Sequence, residues 1–122
     1  PVEQQALPVA MKQEVKEGPA QILTTVADGE PQYYNVTIES IEYKNSSRVK
    51  NLVVLVTDKA LLEKTGGIVQ GMSGSPIIQN GKIVGAVTHV FLNDPTRGYG
   101  IFAENMVENL VSIERETVQK AS

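Results

Sequence analysis

The dipeptide Asn80-Gly81, set between the apolar runs Pro76–Gln79 and Lys82–Val90, constrains this chain more than any other local feature. Both residues tolerate the positive φ angles of a type I′ turn, whose twist matches that of paired antiparallel strands, so the segment predicts a tight hairpin. The same β signature recurs upstream. Gln21–Val26, Tyr33–Tyr43 and Asn51–Val56 are rich in Val, Ile, Thr and Tyr, and Tyr34, Val36, Ile38 and Ser40 alternate with Asn35, Thr37 and Glu39. Turn-forming clusters at Asp28-Gly29-Glu30-Pro31 and Lys44-Asn45-Ser46-Ser47-Arg48 separate these runs. Downstream, Asn93-Asp94-Pro95 breaks the chain before a short strand at Tyr99–Phe102. Met106, Leu110 and Ile113 then recur at helical spacing beside a row of Val107, Val111 and Val118, with Glu104 and Glu108 near the start and Lys120 near the end. Residues 1–18 sustain no period and are read as an extended lead-in, 19–102 as the strands of a barrel, and 103–122 as a C-terminal α-helix. The predicted class is mainly β, a small antiparallel barrel with one terminal helix.

The chain's 122 residues suffice for one domain with a single core. Hydrophobic residues make up 41% and charged residues 20%, and the longest aliphatic run is Leu52–Val56, a composition that supports neither disorder nor a helical membrane span. Eleven Lys+Arg against 14 Asp+Glu leave a net charge of −3, which argues against nucleic acid as a partner. The lack of cysteine excludes disulfides, thiol nucleophiles and thiolate metal sites, and one histidine, His89, cannot build a His-rich ligand set. No metal or cofactor is expected. The chain opens on Pro1 with no basic-then-apolar leader, and is read as an excised or processed piece.

Chemistry concentrates in Gly71-Met72-Ser73-Gly74-Ser75-Pro76, which runs into the hairpin. It resembles the nucleophile region of chymotrypsin-like serine peptidases, where G-x-S-G-[GS]-P precedes an apolar hairpin and the strand that pairs with substrate. A nucleophilic serine has to present its oxygen on a tight turn while backbone N–H groups point at the developing oxyanion, and glycines allow that close packing. The resemblance makes Ser73 the nucleophile and the amides of Gly71 and Ser73 the oxyanion hole. The elbow G-x-S-x-G of other hydrolases would need glycine where Ser75 stands, and Gly66-Gly67 and Gly71 lack the Gly-Lys-Ser/Thr of a phosphate loop. A plain glycine-rich turn feeding a hairpin is the alternative.

The match extends to Val56-Thr57-Asp58, to Leu61 through Pro76, to Thr88-His89-Val90-Phe91 and to Asn93-Asp94-Pro95, and over about Pro19 to Met106 it closely resembles the peptidase family of stage IV sporulation protein B (SpoIVB). The resemblance implies one barrel of a chymotrypsin-like, two-barrel serine peptidase. It further implies a secreted or membrane-associated signalling protease, acting between the forespore and mother-cell membranes, that cleaves a membrane-complex regulator of sporulation and also itself. The family's triad runs His, Asp, Ser, and its aspartate matches Asp58, which would orient the imidazole. Asp58 also has the sequence position of a cap for the following Lys59–Lys64 segment. The family's histidine lies well upstream of its aspartate, and no residue from Pro1 to Asp58 is histidine. The chain is therefore expected to be the C-terminal part of the peptidase, missing its general base and nearly inactive alone. A two-barrel enzyme needs roughly 200 residues, so a homodimer or pairing with the missing barrel is expected.

Under the same resemblance Gly67, six residues before the nucleophile, lies at the floor of the primary pocket without charge, and Thr88, His89 and Val90 lie on the substrate-pairing strand. His89 is read as a substrate contact or a structural histidine rather than the base. Arg97 is read as a loop charge that either faces an acidic substrate group or is solvated. The competing reading is a non-catalytic barrel that binds a peptide or partner protein through the Ala86–Phe91 edge.

Overall fold

The computed structural model describes residues 7–26, 29–44 and 50–106. Six strands, β1 (Gly18–Thr24), β2 (Gln32–Ile41), β3 (Leu52–Val56), β4 (Pro76–Gln79), β5 (Lys82–Phe91) and β6 (Asp94–Phe102), close into a barrel in the order β1-β2-β3-β6-β5-β4. Every neighbouring pair, including the closing pair β1 and β4, is antiparallel. The hairpin turn lies where Asn80-Gly81 places it, with φ of 53° and 74° at the two residues. β6 begins at Asp94, five residues before the expected strand: Leu92 and Asn93 alone turn the chain, and Asp94 already pairs with Phe91.

The barrel interior is filled by alternate residues of each strand, as a barrel this small requires. Ile22, Ile38, Leu52, Val54, Ile77, Val84, Val87 and Phe102 are buried there, and each such side chain contributes roughly 1.5–3 kcal/mol by leaving water. The alternation in β2 holds for Tyr34, Val36 and Ile38 and then fails at Ser40, which is exposed. The cause is a bulge: Ile38 faces Val54 and Ser40 faces Val53, so Glu39 is the extra residue and the strand changes phase.

The lead-in is more than an extended arm. Its described part packs on the barrel through the buried residues Ala10 and Val15, a parallel bridge from Val9 to Ile83 and a 3-10 turn at Lys12–Glu14. Gln79 stitches it down, accepting from Lys16 N and donating to the carbonyls of Lys16 and Pro19. Helical conformation starts at Ala103 and continues to Met106, with Glu104 accepting from Lys12 N. The rest of the expected C-terminal helix, 107–122, lies outside the described residues. The helix α1 (Lys59–Thr65) follows β3, ending at Gly66 in the left-handed region. Because neighbours are antiparallel throughout, the C-terminal ends of β1, β3 and β5 and the N-terminal ends of β2, β4 and β6 share one rim. The segment from Asp58 to Ser75 starts and ends on that rim and buries Leu61, Ile68 and Met72 in the core.

Candidate active site

The Ser73 turn is held to the barrel on both flanks. A 3-10 turn (Gln70–Met72) leads into it, Met72 is buried beneath it, and Met72 N donates to Val69 O while Ser75 N donates to Met72 O. Gly74 N then donates to Val87 O at 2.7 Å, and Val87 N to Ser75 O at 2.9 Å, extending the pairing of β4 with β5 back beyond Pro76, the first residue of β4. The buried Ser75 hydroxyl donates to Thr24 Oγ1 at 3.1 Å, fixing the turn to the end of β1. Gly74 has φ of 90°, a conformation any side chain would oppose, and there is open space where its Cβ would stand. Glycine here serves the backbone turn and not a tight contact. Gly71 and Ser73, whose amides are assigned to the oxyanion, flank Met72.

Ser73 is exposed, and its Oγ donates to Thr88 O at 3.0 Å. That carbonyl is where it is because of a second bulge. Val87 faces Gly100 and His89 faces Tyr99, so Thr88 is the extra residue of β5 and is displaced from the register with β6. Beyond Val87 no described strand lies on the β4 side of β5, and His89–Phe91 present a short open edge beside Ser73. The Ala86–Phe91 edge of the sequence reading is thereby shortened. Ala86 is paired with Pro76 on one side and Ile101 on the other, and Val87 is bonded to the Ser73 turn, because the barrel is closed.

Asp58 stands on the same rim but three strands away from β4 in either direction. Its Oδ1 accepts from Ala60 N and Leu61 N at 3.0 and 3.3 Å, and its Oδ2 from Asn35 N at 3.0 Å. The capping role open from sequence is thus made, with an added tie to β2. These bonds, that of Asn35 foremost, hold the carboxyl below its ordinary range against an opposing effect of burial, with Leu61 N, Ala60 N and the Lys64 charge acting the same way as Asn35. Gly67 is buried, and a Cβ built on it would stand 2.2 Å from Pro95 O. What touches Gly67 is the start of β6, whose Pro95 carbonyl also accepts from Ile68 N. Arg97 is a strand residue paired with Leu55, not a loop charge. It grips Glu39 through Nε and Nη2 at 2.7 and 3.1 Å and Asp94 through Nη1. Both carboxylates raise the guanidinium's already high pKa, Glu39 the more, and Asp94 is held low by Thr96 and Arg97.

His89 is exposed, and among the described residues it makes no side-chain hydrogen bond or ion pair. It borders an open groove of about 480 Å³ running along the β5–β6 hairpin past Phe91, Leu92 and Tyr99 to Lys50. Among the described residues no group of three or more His, Asp or Glu side chains could hold a metal ion.

The family model of SpoIVB peptidase S55 matches residues 1–107, which include every described residue. The chain belongs to the SpoIVB peptidase family. Among curated proteins and among solved structures, none matches it. The SpoIVB match gives the glycine-rich turn its context, since this is a family of serine peptidases, and the barrel displays the serine of that turn on its surface.

Three polar residues that brace this SpoIVB-type barrel escaped the sequence reading. Thr24 anchors the Ser73 turn through Ser75. Asn35 ties Asp58 to β2, its N–H meeting the carboxylate and its carbonyl accepting from Thr57 N and Asp58 N. Asn51, almost fully buried, accepts from Phe102 N and Asn105 Nδ2 and so locks β3 to the end of β6. Only Asn51 carried a signal, as a polar residue opening an aliphatic run.

Proposed function

We propose that this domain is the nucleophile-bearing part of a serine endopeptidase, with Ser73 as nucleophile and the Gly71 and Ser73 amides as oxyanion donors. One observation carries the reading: a family-typical G-x-S-G turn, with its glycine at φ of 90°, sets an exposed serine beside an open strand edge. A substrate chain paired along Thr88, His89 and Val90 would run past Ser73, whose attack on the scissile carbonyl develops negative charge beside the turn. Gly67 shapes the primary pocket from behind, through Pro95, and adds no charge to it.

The general base in this proposal comes from outside these 122 residues. Ser73 Oγ–H is directed at a carbonyl, which takes no proton, and His89 is the single histidine of the sequence. An imidazole entering the rim would have to draw the hydroxyl away from Thr88 O, with Asp58 orienting it, and without it the chain is nearly inactive. A second chain or an upstream segment that brings the imidazole is the partner implied. On the family's pattern the substrates are a membrane-complex regulator of sporulation and the protease itself, met between the forespore and mother-cell membranes. The engagement of Asp58 with three backbone N–H groups favours a second reading, a barrel that binds a peptide at His89–Phe91 without cleaving it.

Fluorophosphonate labelling read by intact mass separates the two. The chain extended upstream through the family's histidine is expected to label at Ser73, with the 122-residue chain and the Ser73→Ala control silent. No Ser73-dependent label in either chain leaves the peptide-binding barrel.

A further inference from the structure

The groove beside His89 combines aromatic walls with a cation. Its walls are aromatic: Phe91 and Tyr99 lie with ring centroids 4.6 Å apart. Its lip is Leu92, 98% exposed at the hairpin tip. Lys50 lies across it, Nζ 5.0 Å from the centre of the Tyr99 ring, and among the described residues no carboxylate is within ion-pair distance of that ammonium. Among the described residues the one carboxylate bordering the groove, Asp94, is already held by Thr96 and Arg97. The groove therefore offers apolar surface and one positive charge that is unmatched among the described residues, in a chain whose net charge is −3.

We propose that this groove is a specificity pocket for a peptide segment that carries a bulky apolar side chain two residues from an acidic one. The proposal rests on the substrate-pairing reading above and supplies its substrate class. The occupant follows from continuity and charge. The open edge His89–Phe91 forms one side of the groove, so an extended chain hydrogen-bonded there directs alternate side chains toward Phe91 and Tyr99. The apolar side chain covers the rings and Leu92, while a carboxylate two residues away, on the same face of the extended chain, meets Lys50, with the Tyr99 face behind the ammonium. A basic segment would be repelled by Lys50.

Amide chemical-shift mapping on the 122-residue chain tests this with three acetylated hexapeptides: Ala-Glu-Ala-Phe-Ser-Ala (the Glu-Phe peptide), the same with Lys in place of Glu (Lys-Phe) and the same with Ala in place of Phe (Glu-Ala). The Glu-Phe peptide is expected to shift Lys50, His89–Leu92 and Tyr99 at about 1 mM, a concentration suited to a weak site. The Lys-Phe and Glu-Ala peptides are expected to bind about 10-fold more weakly, because one reverses the contact to Lys50 and the other removes the buried ring. Lys50→Glu should invert the preference between the Glu and Lys peptides, and Leu92→Ser should weaken both Phe peptides; both positions are exposed, so the fold tolerates the change. Equal shifts from the Glu-Phe and Lys-Phe peptides, no shifts in the groove, or a preference that survives Lys50→Glu overturns the proposal. Failure of Ser73 to label in the extended chain removes the peptidase reading and leaves these shifts to be judged alone, so the two can fail separately.

Discussion

Replacing Asp58 separates its work in the fold from any work in catalysis. In Asp58→Ala the chain loses two cap bonds to α1 and the bond to Asn35 N. A helix cap contributes about 1 kcal/mol, and a hydrogen bond to a half-exposed carboxylate about as much again. The expected loss is about 2 kcal/mol out of the roughly 5–15 kcal/mol that holds a domain of this size. Urea unfolding followed by circular dichroism should show the midpoint falling by about 1 M with the slope unchanged. Asp58→Ser keeps the cap but cannot reach Asn35, and is expected to lose about half as much.

The pH dependence follows from the lowered carboxyl. A group whose folded pKa lies below its unfolded value contributes in full above the unfolded value, about 4, and loses that contribution as the pH falls through the folded value. The gap between wild type and Asp58→Ala should therefore be complete at pH 7 and shrink as the pH falls below the unfolded value of about 4. Two results refute the reasoning: a midpoint unchanged by Asp58→Ala at pH 7, or a gap that does not narrow in acid. In the upstream-extended chain, Asp58→Asn reports separately on an orienting role. A fall in turnover of about 10⁴-fold, far beyond what a small loss of stability produces, is the expected result.

Other substitutions probe the supports of the site. Gly67→Ala places a methyl 2.2 Å from Pro95 O, and should cost about 3 kcal/mol or more, read as a large drop in thermal midpoint. Ser75→Ala removes the partner of the buried Thr24 hydroxyl, an expected loss of about 1–3 kcal/mol that Ser75→Ala with Thr24→Val should partly restore in the same melts. Gly74→Ala imposes a side chain on φ of 90°, with an expected cost of about 1–2 kcal/mol. In the extended chain it should also slow Ser73 labelling more than Ser75→Ala does, because it displaces the amides proposed to bind the oxyanion.

Local chemistry determined much of this protein before any folding was considered. Asn80-Gly81 set the hairpin through its own φ preferences, and the Val, Ile and Tyr alternation set the strands, because both effects act between near neighbours in the chain. The G-x-S-G turn was legible for the same reason, as a motif carried by contiguous residues, and the family match agrees with the family that it suggested. What depends on partners distant in sequence was decided only by the tertiary structure. The bulges at Glu39 and Thr88 exist because β3 and β6 impose their registers, and one of them turns Ser40 outward while the other sets the carbonyl that meets Ser73. Closure of the barrel by β1 and β4 leaves only His89–Phe91 of the expected edge open. Arg97 became a clamp only when Glu39, 58 residues away, came to lie beside it. Long-range pairing fixes which polar groups are matched and which stay exposed, and no local period encodes that.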